Sequence, residues 1–157
     1  MTRLSKFKLL LKEEKTEYEV DQNVEYTNPQ LIAKLALEFT DLKAECEEYV
    51  YCIAFDTRLH VLGFYEVAHG SQSGCAFPMK NVFQKALFLG ANRIVIVHNH
   101  PSGSCAASVE DIATTEKVRQ AGKLLDIELL DHIIVTPNSE CYSITNNERW
   151  RSTNEKA

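Results

Sequence analysis

The spacing of apolar positions changes along the chain and divides it into alternating helices and strands. Asn28 and Pro29 form a helix start, a capping side chain followed by a residue that tolerates the first turn. Apolar positions at helical spacing then predict a helix over 29–40. Two runs rich in aromatic and β-branched residues, 49–55 and 59–67, are separated by a short polar segment and predict a hairpin.

The second half of the chain centres on a run, 93–97, whose residues are apolar on both faces. Such a run is typical of a central strand that helices cover on both sides. The other predicted elements are a helix that follows Pro78 and ends at Gly90, a helix over 108–125, a strand over 127–135 and a short strand over 141–145. This order predicts an α/β fold in three layers, a mixed sheet with helices on both faces.

Length and composition are those of one globular domain. The chain has 157 residues with 45% hydrophobic content, and no apolar run reaches the roughly 20 residues that span a bilayer. Residues 1–27 have little periodicity and are predicted to be an arm that packs partially or forms an edge strand, which leaves 28–157 as the domain. The five cysteines include no closely spaced pair, and no secretory signal opens the chain, so we expect a reducing, cytoplasmic location and no membrane association.

The net charge of −5 argues against a broad nonspecific grip on nucleic acid. A small basic and aromatic contact through Arg149, Trp150 and Arg151 keeps nucleic acid as an alternative partner.

Candidate chemistry is concentrated in the segment HNHPSGSCAASVED. His98 and His100 are two residues apart at a strand end, so in extended geometry they project from the same face. Asp111 lies in the first turn of the next helix, behind the predicted N-cap Ser108. This arrangement is a capping box, yet Asp111 also shares a predicted sheet-facing stripe with Thr114, Val118, Ala121 and Leu125.

A carboxylate on a buried stripe needs a partner, because burying it unpaired costs several kcal/mol. A divalent cation held by His98, His100 and Asp111 would supply one. Two histidines and one aspartate, with a fourth position left to water, is the ligand count of a catalytic zinc site. The alternatives are a histidine pair bonded to the backbone and a DNA-binding loop.

The spacing His98-x-His100-Pro101 followed by Ser108-x-x-Asp111 resembles the JAMM motif. With AGKLLDIELLDHIIV, the wider string is similar to RadC-type members of that family, over roughly residues 45–150. Full-length RadC proteins also carry an N-terminal helix-hairpin-helix region, and the length of this chain predicts the compact JAMM portion alone. The resemblance implies a cytidine-deaminase-like fold, zinc on the three ligands, Ser108 assisting the tetrahedral intermediate, and hydrolysis of a peptide or isopeptide amide.

The resemblance also implies a carboxylate that serves as general base, and Glu66 is assigned to that role. Relative to Gly70 the expected position is one residue earlier, at Tyr65, and a one-residue slip turns a side chain to the opposite face. A local bulge would restore Glu66. If Glu66 is not the base, the domain binds zinc without peptidase activity.

Other residues near the motif are assigned structural roles. His132, after Asp131, is predicted to be a hydrogen-bonded structural histidine, and His69, Cys75 and Cys105 are predicted bystanders in loops. Two alternative functions are a noncatalytic, DNA-repair-associated RadC-like zinc-binding module and a metal-dependent nuclease suggested by the letters H-N-H.

Overall fold

The computed structural model describes residues 20–21, 24–70 and 78–152. Its elements are α1 (Pro29–Phe39), β1 (Glu48–Phe55), β2 (Val61–Gly70), α2 (Met79–Leu89), β3 (Arg93–Asn99), α3 (Val109–Leu125), β4 (Glu128–Val135), β5 (Glu140–Ser143) and β6 (Glu148–Arg151). The predicted order of helices and strands is confirmed, and β6 is an additional element.

The strands form one mixed sheet in the order β2-β1-β3-β4-β5-β6, in which only the β3 and β4 pair is parallel. Helix α1 covers one side, here called the α1 face, where Ile53 and Val95 are buried. Helices α2 and α3 cover the other side, here called the α3 face, where Val50 and Ile96 are buried. The predicted three-layer α/β/α architecture is therefore confirmed.

Helix boundaries follow the signals in the sequence. The Asn28 side chain accepts a hydrogen bond from Leu31 N at 2.9 Å, which caps α1 as predicted. Helix α2 ends at Gly90 in the left-handed conformation, with φ of 68°. In the last turn of α3, Gly122 lies so close to Ile127 that a Cβ atom there would collide with the Ile127 carbonyl oxygen. The tight turn from α3 into β4 therefore depends on this glycine.

The structure corrects the predicted stripe of α3. Its buried residues are Thr115, Val118 and Gly122, whereas Leu125 is 40% exposed. The buried line runs from Asp111 through positions four, seven and eleven residues later, so beyond Asp111 it shares only Val118 with the predicted stripe. Asp111 nevertheless begins both lines.

Strand β6 contains Arg149, Trp150 and Arg151, the residues of the predicted basic and aromatic contact, which stays a prediction. Arg149 and Trp150 pair with Tyr142 and Cys141 of β5, and Trp150 packs against the core of the α1 face. Most of the predicted arm over 1–27 lies outside the described residues, although Tyr26 is buried in that same core. Within the described residues, no helix has the length and hydropathy needed to cross a membrane.

Candidate metal centre

His98 and His100 lie where β3 ends. His98 is aligned with Val50 of β1, so it points to the α3 face, and it is only 3% exposed. His100 follows the strand, and its Nε2 atom lies 2.9 Å from Nε2 of His98. Because β3 extends to Asn99, two residues beyond the prediction, extended geometry persists between the two rings. The predicted same-face arrangement of the imidazoles is therefore present.

Asp111 approaches the two rings from the first turn of α3. Its Oδ1 lies 3.3 Å from His98 Nε2, and its Oδ2 lies 3.4 Å from His100 Nε2. Ser108 caps the helix: its Oγ accepts from Asp111 N at 3.0 Å, while Asp111 Oδ2 accepts from Ser108 N at 2.7 Å. The capping box orients the carboxylate that faces the histidines, so the helix-capping role is compatible with the predicted ligand role.

Electrostatics couple the three groups closely. Burial raises the pKa of Asp111, but its contacts with His100 and His98 outweigh burial and hold that pKa well below its usual range. Burial lowers the pKa of His100, yet hydrogen bonds with Asp111 and the Ser104 carbonyl, together with the charges of Asp111 and Glu48, raise it overall. The cluster therefore favours the ionised carboxylate of Asp111 beside the two imidazoles.

The donor set fits a metal ion. One ligand atom from each of His98, His100 and Asp111 lies within 4.8 Å of the others. Imidazole nitrogen and carboxylate oxygen are the donor types of catalytic zinc sites. Asp111 keeps 18% of its side chain exposed and His100 keeps 11%, so solvent reaches the cluster from one side.

A third histidine lies behind the cluster. His132 of β4 is fully buried, and its Nε2 is 2.8 Å from Nδ1 of His98. Its Nδ1 is 2.6 Å from the Thr115 hydroxyl on α3. Desolvation pushes the pKa of His132 well below its usual range, with a smaller contribution from His98, so its ring is neutral. The prediction of a hydrogen-bonded structural histidine agrees with this placement.

Glu48, at the start of β1, is a carboxylate that no motif in the sequence singles out. It is half-buried, and its position two residues before Val50 puts its side chain on the α3 face. Continuing the pairing of Val50 with His98 brings Glu48 beside His100. The alternation of side chains along β1 puts Glu48 on the same face as Val50. Only the register of β1 with β3 shows that this face also carries the histidines.

Asn99 fixes the backbone on both sides of Glu48. Its side chain is fully buried, accepts from Tyr49 N at 2.7 Å and donates to the Glu47 carbonyl at 2.9 Å. The central residue of the His-Asn-His tripeptide therefore ties the start of β1 to the end of β3. These hydrogen bonds hold the backbone of Glu48 beside His100.

Comparison with protein families agrees with this geometry. The model of the RadC-like JAB domain matches residues 26–150, most of the chain. The chain belongs to the RadC-like JAB domain family.

Curated relatives of this RadC-like domain are named UPF0758 proteins. One from Desulfitobacterium hafniense (strain DSM 10664 / DCB-2) is 34% identical over 111 residues, which cover 71% of this chain and 48% of that protein. One from Acidithiobacillus ferrooxidans (strain ATCC 53993 / BNL-5-31) is 39% identical over 94 residues, 60% of this chain and 42% of that protein. The chain thus spans about half the length of the curated relatives it matches, and the name they carry states no activity.

The RadC-like domain places Glu66 away from the three candidate ligands. Glu66 is paired with Tyr51, whose side chain belongs to the α1 face, and its carboxylate contacts His69 at 2.7 Å. The predicted bulge is present in β2, but Val67 is its extra residue. It lies after Glu66 and therefore does not turn the Glu66 side chain toward the α3 face. Tyr65 and Val67, on either side of Glu66, are the residues that point to that face. The role of Glu66 as general base stays a prediction that the register does not favour.

The other singled-out residues that the structure describes lie outside the cluster of His98, His100 and Asp111. His69 pairs with Glu66, and Cys105 is buried with its thiol 3.6 Å from Glu140 Oε2. Cys75 lies outside the described residues. Asp131 accepts a hydrogen bond from the backbone N of His132 and not from its ring, so Thr115 is the group that contacts the far side of that ring.

Proposed function

We propose that this RadC-like domain is a zinc-dependent hydrolase that cleaves a peptide or isopeptide amide. The observation that carries the proposal is the convergence of His98, His100 and Asp111 on one solvent-reached point. Three protein ligands with a remaining position for water distinguish catalytic zinc sites from closed structural ones. When bound, zinc would activate a water at neutral pH and polarise the amide carbonyl.

Glu48 is the general base in this proposal. Amide hydrolysis needs a group that accepts a proton from the attacking water and delivers it to the leaving amine. Glu48 is half-buried on the α3 face, and its charge contributes to the raised pKa of His100. Asn99 fixes the backbone around it, which keeps the carboxylate near the cluster when substrate enters. Glu66, on the other face, is the alternative base.

Ser108 supports the reacting carbonyl in this proposal. Its Oγ accepts the capping hydrogen bond from Asp111 N, and a hydroxyl that accepts can still donate its own hydrogen. It lies one helical turn from the carboxylate of Asp111, at an exposed position. The hydroxyl can therefore donate to a carbonyl oxygen as negative charge develops there.

The test combines metal analysis with hydrolysis by the zinc-loaded protein. The probes are a mixed library of fluorogenic peptides and a set of lysine-linked isopeptides. Glu48→Gln should retain zinc and lose activity by about 10²- to 10⁴-fold, the usual contribution of a general base. The matched variant Glu66→Gln should keep both. The opposite pattern would assign the base to Glu66, and zinc binding without hydrolysis of either probe would favour the noncatalytic zinc-binding module.

A further inference from the structure

A line of hydrogen bonds leads from the metal cluster into the core and back to it. It runs from His98 Nδ1 to His132 Nε2 at 2.8 Å and from His132 Nδ1 to Thr115 Oγ1 at 2.6 Å. Thr115 then donates to the carbonyl oxygen of Asp111 at 2.6 Å. The line thus starts at one candidate ligand and ends at the backbone of another.

The position of each hydrogen in this line can be assigned by starting at Thr115. The single hydroxyl hydrogen of Thr115 is used on the Asp111 carbonyl, so Thr115 Oγ1 must accept from Nδ1–H of His132. A neutral imidazole with its hydrogen on Nδ1 offers a lone pair at Nε2, and this lone pair accepts from Nδ1–H of His98. The remaining nitrogen of His98, Nε2, then presents a lone pair toward His100 and Asp111.

The reverse order of hydrogens would disable the cluster. If Thr115 donated to His132 Nδ1, the hydrogen of His132 would sit on Nε2 and point at His98 Nδ1. The hydrogen of His98 would then occupy Nε2, the atom that has to bind a metal. The contact between Thr115 and the Asp111 carbonyl therefore selects the arrangement that can bind an ion.

We propose that His132 and Thr115 are positioning residues that set the tautomer and ring orientation of His98 and so hold its Nε2 ready to bind metal. The proposal deepens the zinc chemistry proposed above and rests on it where metal affinity is concerned. Metal-bound histidines generally donate their second ring hydrogen to a fixed acceptor, and loss of that acceptor typically costs 10- to 100-fold in metal affinity.

Burial keeps bulk water away from these hydrogen bonds. His132 is fully buried and Thr115 is 3% exposed, so an acceptor lost at either position is not readily replaced by bulk water. His100 differs, because its Nδ1 contacts the Ser104 carbonyl in its own loop at 2.8 Å. The orientation of His98 thus depends on side chains from β4 and α3, whereas that of His100 is set locally.

The decisive experiment uses the full chain and measures two properties other than activity. Long-range ¹⁵N NMR on the metal-free protein reports which nitrogen of each ring carries hydrogen. Competition with a chromophoric chelator gives the affinity for zinc, and the visible absorption of the cobalt-substituted protein reports the ligand geometry. The variants are Thr115→Val, Thr115→Ser and His132→Phe, with Thr114→Val as the control on the neighbouring half-buried threonine.

We expect His98 and His132 of the parent protein to carry hydrogen on Nδ1. Thr115→Val and His132→Phe should weaken zinc binding by about 10- to 100-fold and alter the cobalt spectrum, while Thr115→Ser and Thr114→Val should retain parent values. Hydrogen on Nε2 of His98 in the parent, or unchanged affinity in a folded Thr115→Val protein, would overturn the proposal. A parent protein that binds no zinc would refute the proposed function, and the NMR measurement would still decide how His98 is held.

Discussion

The sheet carries a histidine and carboxylate pair on each of its faces, and the two pairs differ in what surrounds them. On the α3 face, His98 and Asp111 are 3.3 Å apart, with only 4% and 18% of their side chains exposed. On the α1 face, His69 and Glu66 are 2.7 Å apart, with 58% and 42% exposed. The shorter contact belongs to the exposed pair, so separation alone does not identify a metal site.

The two pairs differ in how many candidate ligands lie together and in how those side chains are held by other groups. On the α3 face a second imidazole, His100, joins the pair, and each candidate ligand has a further hydrogen-bond partner behind it. On the α1 face His69 stacks on Tyr49, with ring centroids 5.3 Å apart. The bulge after Glu66 creates this second pair, because it puts residues three apart on the same face of β2.

Removing a carboxylate should produce the largest difference between the two faces, measured as zinc content. Asp111→Ala takes away one of three candidate ligands, so zinc content measured by mass spectrometry should fall from about one ion per chain to nearly none. Glu66→Ala, the matched change on the other face, should leave the zinc content unchanged. Full zinc occupancy in Asp111→Ala would rule out the ligand set.

Stability should show a smaller difference between the faces. Ser108→Ala removes the cap that orients Asp111, so the free energy of unfolding of the metal-free protein should fall by about 1 kcal/mol. Urea denaturation followed by circular dichroism measures it. His69→Ala, at an exposed pair, should leave the midpoint close to that of the parent; an equal loss in both variants would show that the α1 face pair is also structurally important.

The smallest expected effect is a pKa change on the α1 face. A hydrogen bond with Glu66, and then the charge of that carboxylate, raises the pKa of His69 above its ordinary value of about 6.5. The stabilisation from the pair is therefore complete below that ordinary value and is lost as pH rises through the raised pKa. NMR titration of the ring should show Glu66→Gln returning the pKa toward its ordinary value. No change would mean that the contact is not maintained in solution.

The sequence identifies the parts of the site that depend on local geometry. Strand parity predicts that His98 and His100 share a face, and helix capping with helical periodicity predicts Asp111 beside them. Glu48 and Glu66 are different, because the face of each depends on register with another strand and on the position of a bulge. Their roles could not be separated before the pairing of β1 with β2 and β3 was known.

Two other features depend on packing that periodicity does not encode. Strand β6 has the polar sequence ERWR and is recognisable only through its pairing with β5. The histidine at 132 was predicted to be structural, but its contact with His98 required the parallel register of β3 and β4. The predicted fold class needed neither detail, because the order of elements is sufficient for it.

The wide separation of the supporting residues along the chain has a consequence for biosynthesis. All three candidate ligands lie within 98–111, but Asn99 contacts Tyr49, 50 residues away, and His98 contacts His132, 34 residues away. Such long-range contacts form only after the intervening chain has closed into a loop. A nascent chain that ends after α3 therefore carries every candidate ligand but lacks His132, the ring proposed to orient His98. On that proposal, metal affinity reaches its full value only after β4 has emerged and docked beside β3.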